Sequence, residues 1–537
     1  MSEEKNNMMT RRKFLEGSAL VTSGVVLGPL LSACARPTPT DTPGASPTSQ
    51  EPAATTTGSV PSGGHLKVGI IGFPATWDVA LGVNQAFRLG KNVMDPLVFI
   101  SEQISPVPGL ATNWESPDGG TTWEFQLREA TWHDGKPFTS EDVKAHYDRL
   151  LDPDTGSAGA TVFEMVESID APDSHFVRFH LKSVDVEFPI RTGQYLGPIQ
   201  AAHIDPAAYG NEAMVGTGPF KWDDFVPGES IHLVKNPDYW MEDLPLLDRL
   251  TFINFEDETA RINALQSGAI DIAPGIPKEL IDVAERQADI ILSESIPAAM
   301  VVAALRADQP PGNDPRVVEA LKISLDREAL VQTALGGHGM PTPDNPIPPG
   351  SPSYVDVGIP TRDVDRARSL LEEAGYEDGL DLELLVGVGL SGGVKDLALG
   401  IQDMAGQAGF NISVVMVPTN VYIDRWLTKT FGLTDWSPRP TLDAQFRVSY
   451  TCGAPWNETH WCDEEFDRML DEARATADPD KRAELQAELQ RYFAEYATAV
   501  IPYHFPLIAA HRTKVQNVQE HPMLGYTDFR SVAVGAG

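Results

Sequence analysis

Thr121–Asp152 reads TTWEFQLREATWHDGKPFTSEDVKAHYDRLLD. The opening TTWEFQL alternates apolar and polar residues, which predicts a half-buried strand. Asp134-Gly135 follows as a turn. Thr139 or Ser140 then supplies a side-chain oxygen to cap a helix, and Glu141 and Asp142 put negative charge on its first turn, where the helix dipole favours it. Val143, Tyr147 and Leu150 form the apolar stripe of that helix. One short stretch thus holds a strand, a turn and an amphipathic helix.

The same alternation of elements extends in both directions. His65–Gly72 (HLKVGIIG) and Phe176–Leu181 (FVRFHL) read as strands, and GTGPF at Gly216–Phe220 as a glycine-rich turn. A helix is expected over Asp363–Ala374, stopped by Gly375, and a strand over Leu382–Val388. Asp478-Pro479 opens a long helix carrying Leu485, Leu489, Phe493 and Tyr496 on one face. Interleaved strands and helices give an α/β or mixed α+β chain with more than one lobe and no internal repeat.

The N-terminus has a different character. Thr10–Glu16 reads TRRKFLE, and an apolar run over Ala19–Ala33 ends in Leu31-Ser32-Ala33-Cys34. A basic leader, a short apolar run and small residues before a boundary make an export signal. Arg11-Arg12 resembles the address read by the Tat system, and LSAC resembles the bacterial lipobox, whose cysteine is acylated. A membrane span needs about 20 apolar residues, and this run is shorter and broken by Gly24, Gly28 and Pro29. Ala35–Gly64 is rich in Pro, Thr, Ser, Ala and Gly and lacks the apolar residues for a core, which makes it a stalk. The reading is a lipid-anchored protein at the outer surface of the cytoplasmic membrane, with residues 1–33 as signal and 34–64 as linker.

The chain carries 76 acidic and 41 basic residues, a net charge of −35. That balance argues against nucleic acid as a partner, because phosphates would be repelled. With Cys34 assigned to lipid, Cys452 and Cys462 remain. In an exported protein they favour a disulfide closing a short loop. A metal site of Cys452, His460 and Cys462 is the alternative, but it lacks a recognisable fourth ligand. No metal or other cofactor is expected.

Further blocks carry a family resemblance. Asn113-Trp114-Glu115-Ser116 precedes the opening stretch. Beyond it come GTGPFKW, then LVKNPDYWMEDLPLLDRLTFINFEDETARINALQSGAIDI over Leu233–Ile272. Asp314-Pro315-Arg316-Val317, Ala320-Leu321 and Ser324-Leu325-Asp326-Arg327-Glu328 follow, then DVDRARSLLEEAGYEDG. In this order the blocks resemble the family 5 solute-binding proteins of ABC transporters, the dipeptide-, oligopeptide- and nickel-type receptors. Val318 stands where that family often has arginine.

The resemblance implies a non-enzymatic, monomeric, two-lobed clamshell of the type II periplasmic-binding-protein fold, with an extra subdomain in the first lobe. Residues 65–300 and 507–537 would form lobe I and residues 301–506 lobe II, with crossings near Val301–Leu305 and Ile501–Phe505. Ligand would bind between the lobes, and the closed form would be presented to a membrane permease. The dipeptide-type members place ligand contacts in a segment resembling Thr434–Cys462. That likeness makes Asp443 the candidate anchor for a ligand ammonium, since a buried ammonium needs a charged partner. A turn-capping role for Asp443 stays open. Arg439 is a candidate for a ligand carboxylate or a partner of Asp443. Trp436, Tyr450, Trp456 and Trp461 are candidates to wall the pocket or to fill the core. The ligand class is a peptide or a similar zwitterion.

One enzyme motif competes. Gly389-Leu390-Ser391-Gly392-Gly393 is a G-x-S-x-G between a predicted strand and helix, with His460, His504, His511 and His521 downstream in hydrolase order. No oxyanion-hole motif precedes it, so a secreted serine hydrolase is the alternative reading.

Overall fold

Leu66, Val68 and Ile70 are buried on alternate positions of the strand His65–Ile71, the pattern of a strand packed on one face. It pairs in parallel with Arg249–Phe255 and lies within a seven-stranded sheet. This is a computed structural model, and it describes residues 61–535 apart from 75, 82–84, 158 and 211–213. The twin arginines, the lipobox with Cys34 and nearly all of the linker lie outside the described residues. Among those described, no helix is long and apolar enough to cross a membrane.

The sheet through His65–Ile71 also takes in Phe220–Val226, Ser230–Lys235, Ile272–Ala273, Ile290–Glu294 and the late strand Ile508–Arg512. Beside it stands a four-stranded antiparallel sheet of Ala111–Glu115, Thr122–Leu127, Phe176–Leu181 and Val166–Asp173. The helix Ser140–Leu151 packs there, its N-cap being Thr139 in a reciprocal capping box with Asp142. Val143, Tyr147 and Leu150 are fully buried in the same core as Phe125 and Phe179. The expected strand, turn and helix all form. Trp132-His133-Asp134-Gly135 builds the turn expected at Asp134-Gly135. Trp132 donates to Asp142 at 3.3 Å, His133 bonds the Gly218 carbonyl at 3.0 Å, and Gly135 turns the chain at φ +88°.

The second large sheet is built around Ala299–Leu305, in which all seven residues are buried. Ala299, Val301, Ala303 and Leu305 enter one hydrophobic core, and Met300, Val302 and Ala304 enter another. Both faces of this strand are therefore covered, which explains its unbroken apolar sequence. The helices Pro315–Ser324, Arg327–Leu335, Val364–Glu373 and Val394–Gly406 cover the first face; Leu442–Ser449, Glu464–Ala475 and Pro479–Tyr496 cover the second. Leu380–Gly387 and Phe410–Val417 run parallel, joined through Val394–Gly406.

We call the first sheet with its four-stranded neighbour the first lobe, and the second sheet with its helices the second. The strand Ala299–Leu305 sits inside the second sheet, so the chain first passes between the two sheets in residues 295–298. The return crossing lies in residues 506–507, just after the strand Tyr503–Phe505. The fold is a two-lobed mixed α/β clamshell with an added subdomain in the first lobe.

Candidate functional site

Between the lobes lies a cavity of about 400 Å³. The second lobe contributes the end of the strand Phe431–Trp436 and the turn that follows, including Asp435, Trp436 and Arg439. Trp426 and Trp456 complete that wall. The first lobe contributes Phe87, Gln194, Tyr195, Met523 and Tyr526. A second space of about 730 Å³ shares Leu390, Asp435, Trp436, Ser437 and Leu524 with the first, so the two form one cleft.

A buried carboxylate organises the aromatic wall. Glu458 accepts hydrogen bonds from Trp436 Nε1 at 2.9 Å, Trp426 Nε1 at 3.0 Å, the Thr434 hydroxyl at 2.7 Å and Lys429 Nζ at 2.6 Å. Every donor is thus satisfied and the indoles are held in place. The rings of Trp426 and Trp436 lie 5.9 Å apart, and those of Trp436 and Trp456 6.1 Å apart. Trp456 is 41% exposed, a large apolar surface presented to the cleft. The bridge between Cys452 and Cys462 closes the loop that carries both Trp456 and Glu458.

The charges in the cavity are unmatched. The Arg439 guanidinium lies over Trp456 at 5.2 Å and Trp436 at 5.8 Å, and among the described residues no carboxylate pairs with it. Burial holds it below its ordinary range, with the Tyr195 and Tyr526 phenols facing it. Asp435 accepts the Ser391 backbone N–H on Oδ2 at 3.0 Å and has no cationic partner among the described residues. One cavity therefore holds a cation and an anion that do not neutralise each other.

Three sequence candidates, Trp436, Arg439 and Trp456, meet at this cavity; three do not. Asp443 lies on the helix Leu442–Ser449, which Thr441 caps, and accepts Arg191 Nη2 at 3.0 Å on one oxygen and Arg447 Nε at 2.8 Å on the other. Arg191 is in turn bound to Asp185 at 2.6 Å. Asp443 is buried against two guanidinium groups and is not among the residues that line the cavity, so its place is the contact between lobes. Nor is Arg439 its partner. Tyr450 and Trp461 are core residues, Tyr450 against Phe493 at 4.5 Å and Trp461 against Phe466 at 5.1 Å. Asp435, Trp426 and the first-lobe residues were missed; only Asp435, on the quoted segment, lay within reach of the sequence argument.

Ser391 is exposed in the cleft, but its surroundings do not make a nucleophile. Among the described residues no histidine hydrogen-bonds it. His460 bonds the Leu427 carbonyl, His504 is buried in its strand, His511 bonds the Arg512 carbonyl and His521 that of Ser101. The glycines serve packing: a Cβ on Gly393 would sit 2.1 Å from the Ala334 carbonyl oxygen, and its φ is +65°.

Comparison with known proteins agrees with this architecture. Residues 105–458 match the family described as bacterial extracellular solute-binding proteins, family 5 Middle. The chain is 28% identical over 384 residues to the oligopeptide-binding protein AppA of Bacillus subtilis (strain 168), covering 69% of this chain and 68% of that one. It is 27% identical over 464 residues to the glutathione-binding protein GsiB of Escherichia coli (strain K12), covering 82% of this chain and 88% of that one. The solved structure of the ABC transporter substrate-binding protein CtaP of Listeria monocytogenes superposes with a TM-score of 0.80 at 22% identity, over 88% of this chain and all of that one. The chain belongs to the family 5 bacterial extracellular solute-binding proteins.

Proposed function

We propose that this protein is the receptor of an ABC importer, that it captures a short peptide or peptide-like zwitterion between its lobes, and that it hands the closed complex to a membrane permease. The observation that carries the reading is the pair of unmatched charges, Asp435 and Arg439, in one aromatic-walled cavity. Both side chains are half-buried and neither is paired with a protein charge among the described residues, so a ligand bearing both signs can match each as closure removes water. Asp435 takes the ammonium role expected of Asp443, because Asp435 lines the cavity and Asp443 does not. The relatives named for oligopeptide and glutathione binding support the same solute class. The protein is no enzyme in this reading, acts as a monomer, and is tethered outside the cytoplasmic membrane through lipid on Cys34.

The test is a mass spectrum of the small molecules released by denaturing the exported protein, followed by calorimetry with the compounds found. Zwitterions are expected. Tight binding of an uncharged solute alone, such as a sugar, overturns the assignment.

A further inference from the structure

Two tyrosines of the first lobe line the same cavity as Arg439. The Tyr526 hydroxyl is buried and has no hydrogen-bond partner, although its ring is well held, 4.4 Å from Phe87 and 5.2 Å from His521. Tyr195, from the subdomain side of the first lobe, lines the same cavity, and its hydroxyl makes no hydrogen bond within the protein among the described residues. Both phenols interact electrostatically with Arg439, and with each other. The cluster is therefore one guanidinium and two O–H donors, and among the described residues no carboxylate pairs with the guanidinium.

We propose that Arg439, Tyr195 and Tyr526 form a carboxylate clamp that spans the cleft: a ligand carboxylate accepts from the guanidinium of the second lobe and from the phenols of the first. The inference rests on the zwitterion reading and adds to it a specificity rule and a closing device. A carboxylate offers about four lone-pair directions, enough to engage a bidentate guanidinium and still accept from two hydroxyls. Because the donors come from different lobes, the anion joins them, and a ligand without it leaves these donors unsatisfied once closure excludes water. Rejection of such a ligand is then strong, since unpaired buried polar groups carry their full desolvation cost. The carboxylate can be a peptide's C-terminus or an acidic side chain; the chemistry recognised is the same.

The experiment uses the exported protein, stripped of bound ligand, and a library of dipeptides and tripeptides in three forms: free acids, neutral C-terminal amides, and amides carrying an Asp or Glu side chain. Native mass spectrometry and calorimetry read the affinities in wild type, Tyr195→Phe, Tyr526→Phe and Arg439→Met. Free acids are expected to outbind neutral amides, and each Tyr→Phe change should weaken the free acids about ten- to a hundredfold while leaving the neutral amides nearly unchanged, as for a hydrogen bond to a charged group. Acidic amides that keep the affinity assign the anion to a side chain, and those that lose it assign it to the C-terminus. Tyr526→Phe should not lower the melting temperature of the stripped protein, because the hydroxyl has no partner to lose; a merely structural tyrosine would give the opposite. Equal binding of acids and neutral amides, or an equal loss on both in the Tyr→Phe variants, overturns the clamp while leaving peptide binding standing. Failure of every peptide form to bind wild type contradicts the zwitterion reading itself and the clamp with it.

Discussion

Arg191 Nη2 donates to Asp443 Oδ2 at 3.0 Å, a buried ion pair between residues 252 positions apart that ties the first lobe to the second. Other ties flank it. Arg474 of the second lobe donates to Ser183 Oγ at 2.7 Å and the Val184 carbonyl at 3.1 Å, and Lys278 of the first lobe pairs with Asp396. The lobes are thus joined by several polar contacts in this structure. Opening at this contact would break the Arg191–Asp443 pair and expose both charges to water, so the pair would act as a latch on a closed form.

Breaking one partner of such a pair typically costs about 3–5 kcal/mol. Asp443→Asn is therefore expected to lower the melting temperature and to weaken ligand binding through closure. If Asp443 acts only as a latch, the loss from Asp443→Asn should add to the loss from N-acetylating the ligand, because the two remove different interactions. Asp435→Asn and N-acetylation should instead be strongly non-additive. A calorimetric double cycle decides; non-additivity at Asp443 would return it to the ammonium site.

The latch carries a titratable neighbour. Burial, and next the Asp443 carboxylate, push Glu187 up to about 7 from an ordinary 4.5, against the Thr441 hydroxyl and Arg191; Asp185 adds to the rise. A raised acid favours the protonated folded form, so stability from this group is present at low pH and is lost as pH rises from about 4.5 to about 7. Glu520, also raised by burial to about 7, acts in the same direction elsewhere in the first lobe. Melting temperature against pH should fall less steeply across that window in Glu187→Gln than in wild type. Parallel curves would show that Glu187 ionises freely.

The bridge Cys452–Cys462 closes a loop of sequence separation 10, and by chain-entropy reasoning such a closure stabilises by about 3 kcal/mol. Since that loop carries Trp456 and Glu458, Cys452→Ser with Cys462→Ser should reduce ligand affinity as well as the melting temperature. Calorimetry with and without reductant measures both.

Export and anchoring are separable. Cys34→Ser should move the protein from the membrane fraction to the soluble one, and Arg11→Lys with Arg12→Lys should block export. Retention of the Cys34→Ser protein in membranes would contradict the lipid anchor.

Local signals made most elements legible. Thr139 as a cap, Asp363 and Asp478 at helix starts, and the alternation in Thr122–Leu127 are encoded by neighbours in the chain. The exact crossing between sheets is not legible, because Ala299–Leu305, apolar throughout, looks the same in a hinge as in a strand covered on both faces. Trp436, Arg439 and Trp456 were reachable because one segment supplies them. Phe87, Tyr195 and Tyr526 were not: they reach the site only through lobe packing. The Arg191 contact of Asp443 was not legible for the same reason, since an aspartate after a turn reads alike whether it faces a ligand or a guanidinium 252 residues away.

Capture between closing lobes is the central claim, and small-angle scattering tests it most directly. The protein is first stripped of bound ligand by unfolding and refolding, then measured with and without the compound recovered from the native preparation. The radius of gyration should fall at saturating ligand, and the melting temperature should rise with ligand concentration, because only the folded form binds. A radius of gyration that is unchanged in a sample shown to be ligand-free at the start would contradict closure.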